Sequence, residues 1–361
     1  MKWSQNVSLS GYNTLACPSS AQYLAECYTL SDLRETFAFA RANKLRVTVL
    51  GGGSNVIMPV QMSGIVLLNR LPGVAFKPLP DGQVLLQAGA GEVWDNLVRL
   101  SVQRGLRGIE NLILIPGRVG AAPIQNIGAY GAELSDTLLS VEIYDPASDD
   151  CRTLSLADCQ LGYRDSIFKT AVGREWVITG ITLTLSPNRP LVLEYADLRQ
   201  RWEQEEGAQN HPQAVARVVE RLRRAKLPDP ADIPNAGSFF KNPVVDHDVV
   251  AQLRLGYPEL VAYPVLASDP ALASDPPIQT PPERLKWKLA AGWLIDKAGW
   301  KGRMDNGVGC HERQALVLVN PGHRPADEVL AFATRLQADV KARFGVDLEP
   351  EPVLLGETET K

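Results

Sequence analysis

The fold is decided by a stretch rich in glycine and small apolar residues, Ile115-Pro-Gly-Arg-Val-Gly-Ala-Ala-Pro-Ile-Gln-Asn-Ile-Gly-Ala-Tyr-Gly-Ala-Glu133. Its glycines and prolines exclude a continuous helix or strand. Glycine lets a ligand approach the main chain, and successive N–H groups form a concavity that suits an anion. The interleaved Ala, Ile and Val residues would form a dry wall for a planar ring. The pattern favours a dinucleotide-binding cleft, although a purely structural turn can have the same composition.

A second glycine-rich stretch, Gly51-Gly-Gly-Ser-Asn55, lies between predicted strands at residues 45–50 and 64–69. A Rossmann fingerprint would require a third glycine where Val56 stands, at the start of a helix. The stretch therefore predicts a strand–loop–strand anion cradle, in which backbone N–H groups and the Ser54 hydroxyl can donate to a diphosphate. A tight turn with no ligand would explain it nearly as well.

Two further stretches, Tyr163-Arg-Asp-Ser166 and Asn235-Ala-Gly-Ser-Phe-Phe-Lys-Asn-Pro243, complete a set of motifs. In this order they resemble the UDP-N-acetylenolpyruvoylglucosamine reductases, the MurB family of FAD enzymes in bacterial cell-wall synthesis. The resemblance runs from about residue 20 to about residue 356. It implies NADPH-dependent reduction of UDP-N-acetylglucosamine enolpyruvate to UDP-N-acetylmuramate, with non-covalent FAD and with NADPH as co-substrate.

A chain of 361 residues is longer than one hydrophobic core usually serves. Strands and helices alternate too irregularly for a doubly wound parallel sheet, so the fold class is predicted to be α+β. The resemblance implies a two-part FAD-binding domain of the PCMH/vanillyl-alcohol-oxidase type and a C-terminal α+β substrate domain. The predicted boundaries are 1–70, joined by the returning tail 345–361, for the first FAD-binding subdomain, 71–225 for the second, and 226–344 for the UDP-sugar domain.

Apolar periodicity predicts helices over residues 31–43, 91–103, 212–226 and 283–297, and strands over residues 175–185 and 311–319. Ser31 is expected to cap the first helix, and Val93, Leu97 and Leu100 are expected to face inward from the second. The arginines of the third helix are expected on a solvated face. The proline-rich repeat at residues 267–277 predicts an exposed, mobile loop.

Composition excludes several classes of function. The net charge of −4 and the pI near 5.7 disfavour a general binder of nucleic acid or anionic membrane. No apolar run suggests a leader or a membrane span. The five cysteines are scattered, and the histidines lack metal-ligand spacing. We therefore expect a cytoplasmic protein with reduced thiols and no metal. The resemblance implies a small-molecule UDP-sugar as its partner, and we expect the chain to be a monomer.

The resemblance assigns the chemistry to Arg164, Ser238 and Glu351. Arg164 is a charged fork that can stabilise a developing enolate, although it could also pair at the surface with Asp165. A nucleophilic Ser238 would need a histidine base and a G-x-S-x-G pattern, which are absent, so a proton donor in a dry site remains. Glu351, rather than Glu349, corresponds to the family's catalytic glutamate.

The resemblance also implies two binding sets. The FAD set is Gly51, Gly52, Gly53, Ser54, Asn55, Pro116, Gly117, Gly120, Ala121, Ile124, Gln125, Gly128 and Ile178. The substrate set is Tyr163, Tyr195, Lys226, Asn242 and Gln314, with Tyr195 on a loop present in one branch of the family. Two positions depart from the family pattern, namely Arg118, where a small polar residue is common, and Pro352, where valine usually follows the glutamate.

Two other functions remain open at this stage. One is an FAD-dependent oxidase of the same fold, which would need an oxygen-reactive site and often a histidine or cysteine that tethers the cofactor. No histidine falls within the two glycine-rich stretches. The other is a non-catalytic nucleotide-sugar-binding protein, which predicts loss of Arg164, Ser238 or Glu351, whereas all three are present.

Overall fold

The computed structural model describes residues 2–265 and 286–356. The chain forms two compact units. Unit 1 comprises Met1–Val7, Ala21–Gly53 and Ser63–Ala225, and unit 2 comprises Ser8–Ser20, Ser54–Met62 and Lys226–Lys361. The finer three-part division stays a prediction. The loop expected at residues 267–277 lies outside the described residues.

The strands are, in chain order, β1 Lys2–Ser8, β2 Ser20–Cys27, β3 Val47–Leu50, β4 Val56–Ile57, β5 Gln61–Asn69, β6 Val74–Pro78, β7 Val84–Gly89, β8 Gly128–Ala129, β9 Ala132–Glu133, β10 Leu138–Asp145, β11 Asp150–Ser155, β12 Val177–Leu185, β13 Asn235–Ser238, β14 Val244–Asp246, β15 Ala262–Pro264, β16 Lys286–Leu289, β17 Met304–Asp305, β18 Val308–Cys310, β19 Val317–Val319 and β20 Val353–Leu354. The helices are α1 Leu30–Asn43, α2 Trp94–Gln103, α3 Ala196–Glu206, α4 Pro212–Lys226, α5 His247–Gly256, α6 Ala291–Lys297 and α7 Ala326–Phe344.

The first sheet of unit 1 has the order β1-β2-β5-β3, and β3 runs parallel to β5 with Val47 opposite Ile65. Helix α1 contributes Leu33 and Ala40 to the core that contains Ile65 and Leu67 of β5. These four side chains are almost fully buried. Their burial anchors α1 to the sheet, because apolar area removed from water is the main stabilising term.

The N-cap of α1 is Thr29, and the prediction of Ser31 was wrong. Thr29 has an extended backbone, and its hydroxyl accepts the N–H of Asp32 while the Asp32 carboxylate accepts the N–H of Thr29. This reciprocal pair is a capping box. Ser31 lies two residues after Thr29, inside the first turn of the helix, and is exposed. The acidic residue three positions after Thr29 was the signal that should have decided the cap.

The second sheet of unit 1 has the order β11-β10-β12-β7-β6, with antiparallel neighbours throughout. Helix α2 packs on the core beside it, but not through the predicted face. Val93 and Leu100 are 38% and 36% exposed, whereas Trp94, Val98 and Val102 are buried together with Leu97. The helix begins at Trp94, and the buried positions follow the i, i+3, i+4, i+7, i+8 spacing from that residue.

Unit 2 contains the sheet β13-β19-β18-β17 and the sheet β14-β16-β15. Helix α6 begins at Ala291, so the predicted helix over residues 283–297 was wrong for residues 286–289. Those residues form β16, in which Lys288 lies opposite Val244 and Tyr263. Pairing with strands on both sides overrides the helical periodicity of the local sequence. Residues 283–285 lie outside the described part of the chain.

The strand predicted over residues 311–319 is shorter in the structure, because only Val317–Val319 forms β19. The His311 N–H donates to the Val317 carbonyl over 2.9 Å, and the Val317 N–H donates to the Gln314 carbonyl over 3.0 Å. These bonds close a turn, and Gln314 lies in that turn rather than at the start of a strand. In the described part of the chain, no helix is long and apolar enough to cross a membrane.

Candidate active site

Two glycine-rich segments of unit 1 meet backbone to backbone. A Cβ built on Gly52 would lie 2.8 Å from the Cα of Gly117, which real Cβ atoms essentially never do. Position 52 therefore has no room for any side chain. Gly53 and Gly117 have φ angles of +65° and +118°, which favour glycine. The two segments form a backbone surface suited to a ligand that approaches the main chain.

A third backbone segment, at Ala90, packs against this surface. The Gly120 N–H donates to the Ala90 carbonyl over 2.9 Å, and the Ala90 N–H donates to the Thr179 carbonyl over 3.0 Å. A Cβ on Gly120 would lie 2.6 Å from the Ala90 Cβ. Ile178 is buried in β12 next to Thr179, and Ala121 lies beside Gly51. The structure therefore brings Gly51, Gly52, Gly117, Gly120, Ala121 and Ile178 into one neighbourhood.

The rest of the glycine-rich stretch runs through two short 3-10 turns at Val119–Ala121 and Pro123–Gln125. The Ser166 hydroxyl donates to the Ile124 carbonyl over 2.6 Å and so fastens this stretch to the Tyr163–Ser166 motif. Pro116 is exposed and Gln125 is half-buried. Asn126 fixes the C-terminal end of this stretch. Its Nδ2 donates to the Glu133 carboxylate, and its Oδ1 accepts the Ser135 N–H.

Arg164 lies beside Gly128. Its Nη2 donates to the Gly128 carbonyl over 3.2 Å, and its guanidinium lies 5.5 Å from the ring centroid of Tyr163. A tight turn, in which Gly162 and Asp165 exchange backbone hydrogen bonds, presents the side chain. Arg164 itself has φ +55°, a left-handed conformation that is uncommon outside glycine and that clusters at functional sites.

Tyr195 lies at the N-terminal end of α3 and is 45% exposed. Its ring packs edge-on against Tyr130, with centroids 5.3 Å apart. Tyr130 belongs to the β8–β9 hairpin, where both Tyr130 and Gly131 have positive φ. Sequence reasoning missed Tyr130, because two-residue hairpin turns are usually signalled by Asn-Gly, Asp-Gly or Gly-Gly rather than by Tyr-Gly.

Arg223 of α4 is half-buried, and its placement on a solvated face was wrong. Its Nη2 donates to the Leu114 carbonyl over 3.3 Å, and its buried Nε has no hydrogen-bond partner among the described residues. Burial lowers the pKa of Arg223, and Arg164 lowers it further while Tyr130 acts in the opposite direction. The arginine-rich pattern of α4 concealed this residue, since Arg217, Arg221 and Arg224 do pair with glutamates at the surface.

In unit 2, Ser238 ends β13 and is half-buried. It lies opposite Val317 of β19, and the next N–H, that of Phe239, donates to the Leu316 carbonyl over 2.8 Å. Gly237 has φ +70°, and its N–H donates to the Asn235 side chain. Phe239 and Phe240 are fully buried beneath this bend. The hydroxyl is therefore held on a rigid, largely apolar support.

The tail brings Glu351 to the same place in unit 2. The Glu351 N–H donates to the Phe239 carbonyl over 2.9 Å, and its carbonyl accepts the Asn55 amide over 3.3 Å. Strand β20 then pairs with β4 in parallel. Glu351 is half-buried, whereas the Glu349 side chain is 70% exposed and forms an ion pair with Lys241 at 2.5 Å.

Asn242 and Gln314 converge at the start of α6. The Asn242 Oδ1 accepts the Ala291 N–H over 2.9 Å. Gly292 leaves room for Gln314, because its missing Cβ would lie 3.1 Å from the Gln314 Oε1. Lys226 ends α4 and is half-buried. Ser54 is half-buried next to Asn55 in unit 2.

The predicted residues thus form local groups. Unit 1 contains the backbone surface formed by residues 51–53 and 116–128, which we call the glycine surface, together with Ile178. It also contains the Arg164–Tyr163–Gly128 cluster and Tyr195. Unit 2 contains Ser238 with Asn55 and Glu351, and separately Asn242 with Gln314. The gathering of Arg164, Ser238 and Glu351 about one pocket stays a prediction. The described residues include no group of three or more His, Cys, Asp or Glu that could hold a metal ion.

Family models match both halves of the chain. A model described as "FAD binding domain" matches residues 21–154, and one described as "UDP-N-acetylenolpyruvoylglucosamine reductase, C-terminal domain" matches residues 229–355. The glycine surface fits a diphosphate-bearing cofactor, because no Cβ could occupy its closest approaches. The predictions of FAD as cofactor and of an α+β, FAD-binding fold class are confirmed.

Relatives match the chain over nearly its whole length. A UDP-N-acetylenolpyruvoylglucosamine reductase of Pseudomonas aeruginosa is 45% identical and covers 97% of this chain and 98% of its own. One from Ralstonia nicotianae is 43% identical, with coverage of 96% and 97%. The crystal structure of the Thermus caldophilus enzyme matches with a TM-score of 0.66 at 23% identity, over 99% of this chain and all of that one, which supports the fold. The chain belongs to the UDP-N-acetylenolpyruvoylglucosamine reductase (MurB) family.

Proposed function

We propose that Arg164, Ser238 and Glu351 are the catalytic residues with which this MurB-family enzyme, using NADPH and FAD, reduces UDP-N-acetylglucosamine enolpyruvate to UDP-N-acetylmuramate. The observation that supports the proposal is the antiparallel pairing of the tail with residues 239–241, in which the Glu351 N–H donates to the carbonyl of Phe239, the residue after Ser238. The main chain at Glu351 is thereby held beside the segment that follows Ser238, although the two residues are far apart in sequence.

The cofactor would be held by the glycine surface of residues 51–53 and 116–128, together with Ser54, Asn55 and Ile178. When bound, FAD supplies the hydride-transfer chemistry between the nicotinamide and the enolpyruvyl group. The chain contributes backbone N–H donors and an apolar wall. Gly52 and Gly120 are essential to this role, because any side chain there would collide with neighbouring residues.

Arg164 and Glu351 stabilise the charge that develops on the substrate carboxylate. Hydride addition to the vinyl carbon β to that carboxylate leaves an enediolate, which needs a cation and a hydrogen-bond donor nearby. Arg164 is suited to the first task, because its turn and its Gly128 contact fix the guanidinium before substrate arrives. One preorganised donor of this kind is typically worth about 10²–10³ in rate.

Ser238 completes the reaction by transferring its hydroxyl proton to the α carbon of the enediolate. The group is positioned for this by Gly237, whose positive φ turns the chain, and by the buried pair Phe239 and Phe240. The proton is then replaced from solvent. Substrate orientation is assigned to Tyr163, Tyr195, Lys226, Asn242 and Gln314.

We also propose a cytoplasmic, monomeric enzyme. All five cysteines are free thiols, four of them buried, as expected for a protein that works in a reducing compartment. NADPH and UDP-linked sugars are also metabolites of the cytoplasm.

The test is an anaerobic flavin titration of the purified protein. NADPH should bleach the yellow flavin, and UDP-N-acetylglucosamine enolpyruvate should restore the colour with formation of UDP-N-acetylmuramate. In D₂O, deuterium should appear at the α carbon of the lactyl group. Rapid reoxidation by oxygen, together with no reoxidation by the enolpyruvyl sugar, would instead identify an oxidase of the same fold.

A further inference from the structure

Arg118 is a long cationic residue within the glycine-rich stretch of residues 115–133. Its backbone forms a bridge with Val93, and its neighbour Val119 donates to the Glu92 carbonyl over 2.9 Å. The Cβ of Arg118 lies 3.8 Å from the position that a Cβ on Gly51 would occupy. A long cationic side chain therefore starts directly beside the glycine loop.

The guanidinium of Arg118 is half-buried and incompletely paired. Its Nη1 donates to the Gly91 carbonyl, and its buried Nε has no hydrogen-bond partner among the described residues. Burial lowers the pKa of Arg118, and the neighbouring positive charge of Arg70 lowers it further, with Glu92 acting in the opposite direction. Glu92 is itself engaged, since its carboxylate accepts the Gly73 N–H over 2.8 Å.

This arrangement is costly in the protein alone. A buried charge destabilises the fold unless a counter-charge and hydrogen bonds compensate it. A second cation nearby, Arg70, adds repulsion. Glu26 faces Arg70 at 3.9 Å and also accepts the Tyr28 hydroxyl, so its charge is shared. An anion bound beside Gly51 would compensate the positive charge of Arg118.

We propose that Arg118 is a cofactor-binding residue of this chain, whose guanidinium contacts the diphosphate of FAD beside the Gly51 loop. The planar fork of arginine suits phosphate oxygens, and Arg118 is only half-buried, so part of its side chain remains accessible to a ligand. The inference rests on FAD binding and is independent of the roles assigned to Ser238, Arg164 and Glu351.

The experiment compares FAD binding and apoprotein stability in Arg118→Met, Arg118→Lys and Arg104→Met. Arg104 is the matched control, an exposed arginine of the same unit that lies over the Phe76 ring at 4.2 Å. The FAD dissociation constant is measured by flavin fluorescence with each apoprotein, and the apoprotein melting temperature is measured separately. FAD binding by the wild-type apoprotein shows whether the chain binds this cofactor, separately from the role of Arg118.

Arg118→Met should weaken FAD binding by about tenfold to a hundredfold, because a charge-assisted hydrogen bond is lost. Arg118→Lys should lose less, and Arg104→Met should stay within about twofold of wild type. The Arg118→Met apoprotein should melt no lower than wild-type apoprotein, since an uncompensated cation has been removed. The proposal is overturned if FAD affinity is unchanged, or if the Arg118→Met apoprotein melts lower or fails to fold, because Arg118 would then be a structural residue.

Discussion

Two glutamates in the tail, separated by one proline, have different surroundings. Glu349 is exposed and pairs with Lys241, whereas Glu351 is half-buried and its main chain bonds to Phe239 and Asn55. Extended backbone turns residues i and i+2 to the same side of a strand. The hydrogen-bond partners therefore distinguish the two positions, since the Glu351 N–H donates to the Phe239 carbonyl and the Glu349 carbonyl accepts the Lys241 N–H.

This difference allows a matched pair of substitutions. Glu351→Gln should lower kcat by about 10²–10³, since the acidic carboxyl group is replaced by a weaker amide donor. Glu349→Gln should leave kcat within about twofold, because exposed ion pairs contribute little. Both values follow from steady-state NADPH oxidation with the enolpyruvyl sugar. Equal losses in the two variants would remove the catalytic role from Glu351.

Individual site residues could be predicted from the sequence only where they lie within a recognisable motif. Ser238 and Arg164 lie in short, distinctive stretches, so their candidacy came from sequence. Arg223 did not, because an arginine-rich amphipathic helix looks solvated whichever arginine turns inward. Its half-buried position depends on the Leu114 carbonyl, more than 100 residues away in the chain, which no local pattern encodes.

Helix α1 depends on its first turn. Burial alone would raise the pKa of Asp32, but hydrogen bonds from the N–H groups of Tyr28 and Thr29 outweigh it, so the pKa is lowered. A depressed pKa means that the ionised form stabilises the fold. That stability is present above the unfolded-state pKa of about 3.9 and is lost as pH falls through the folded-state value.

Asp32→Asn should therefore destabilise the protein by about 1 kcal/mol at pH 7, in the range for loss of a helix cap. The difference from wild type should begin to shrink below about pH 4 and should be lost as pH falls through the lowered folded-state pKa of Asp32. Urea unfolding at several pH values measures both. Ser31→Ala is the control and should change stability by less than about 0.5 kcal/mol, since Ser31 is exposed. A pH-independent loss in Asp32→Asn would contradict the electrostatic explanation.

Long elements with clear periodicity were predictable, and short ones in unit 2 were not. The bounds of α4 match the predicted 212–226, with Val215, Val218, Val219 and Leu222 buried as expected. Residues 286–289 instead became a strand, because β14 and β15 offer hydrogen-bond partners on both sides. Such pairing is a long-range effect, and a four-residue segment has too little intrinsic preference to resist it.

At the scale of the whole chain, the buried cysteines lie in three hydrophobic clusters and indicate how well these exclude solvent. Burial raises the pKa of Cys17, Cys27 and Cys159 to about 11 and that of Cys310 to about 12. Only Cys151 is exposed. Because the thiolate is the reactive form, the four buried thiols should be inert at pH 8.

A thiol reagent should accordingly label one cysteine in the native protein within minutes and all five after denaturation. Intact-mass spectrometry counts the labels, and Cys151→Ser should abolish the rapid one. Two or more rapid native labels would mean that a core opens to solvent more readily than its packing implies.

The family and the cofactor were predictable from the sequence because glycine spacing reflects backbone approach, which is a local property. The domain organisation was harder to foresee, since unit 2 gathers Ser8–Ser20, Ser54–Met62 and the C-terminal part of the chain. Pairing of β20 with β4 joins residues almost 300 positions apart. No periodicity within β4 or β20 predicts that these two segments pair with each other.

The central claim is that Ser238 donates the proton after hydride transfer, and stopped-flow absorbance of Ser238→Ala tests it most directly. Reduction of the flavin by NADPH should proceed at nearly the wild-type rate, because Ser238 takes no part in that half-reaction. Reoxidation by UDP-N-acetylglucosamine enolpyruvate should slow by several orders of magnitude. If both half-reactions slow alike, or if reoxidation keeps its wild-type rate, Ser238 is not the proton donor.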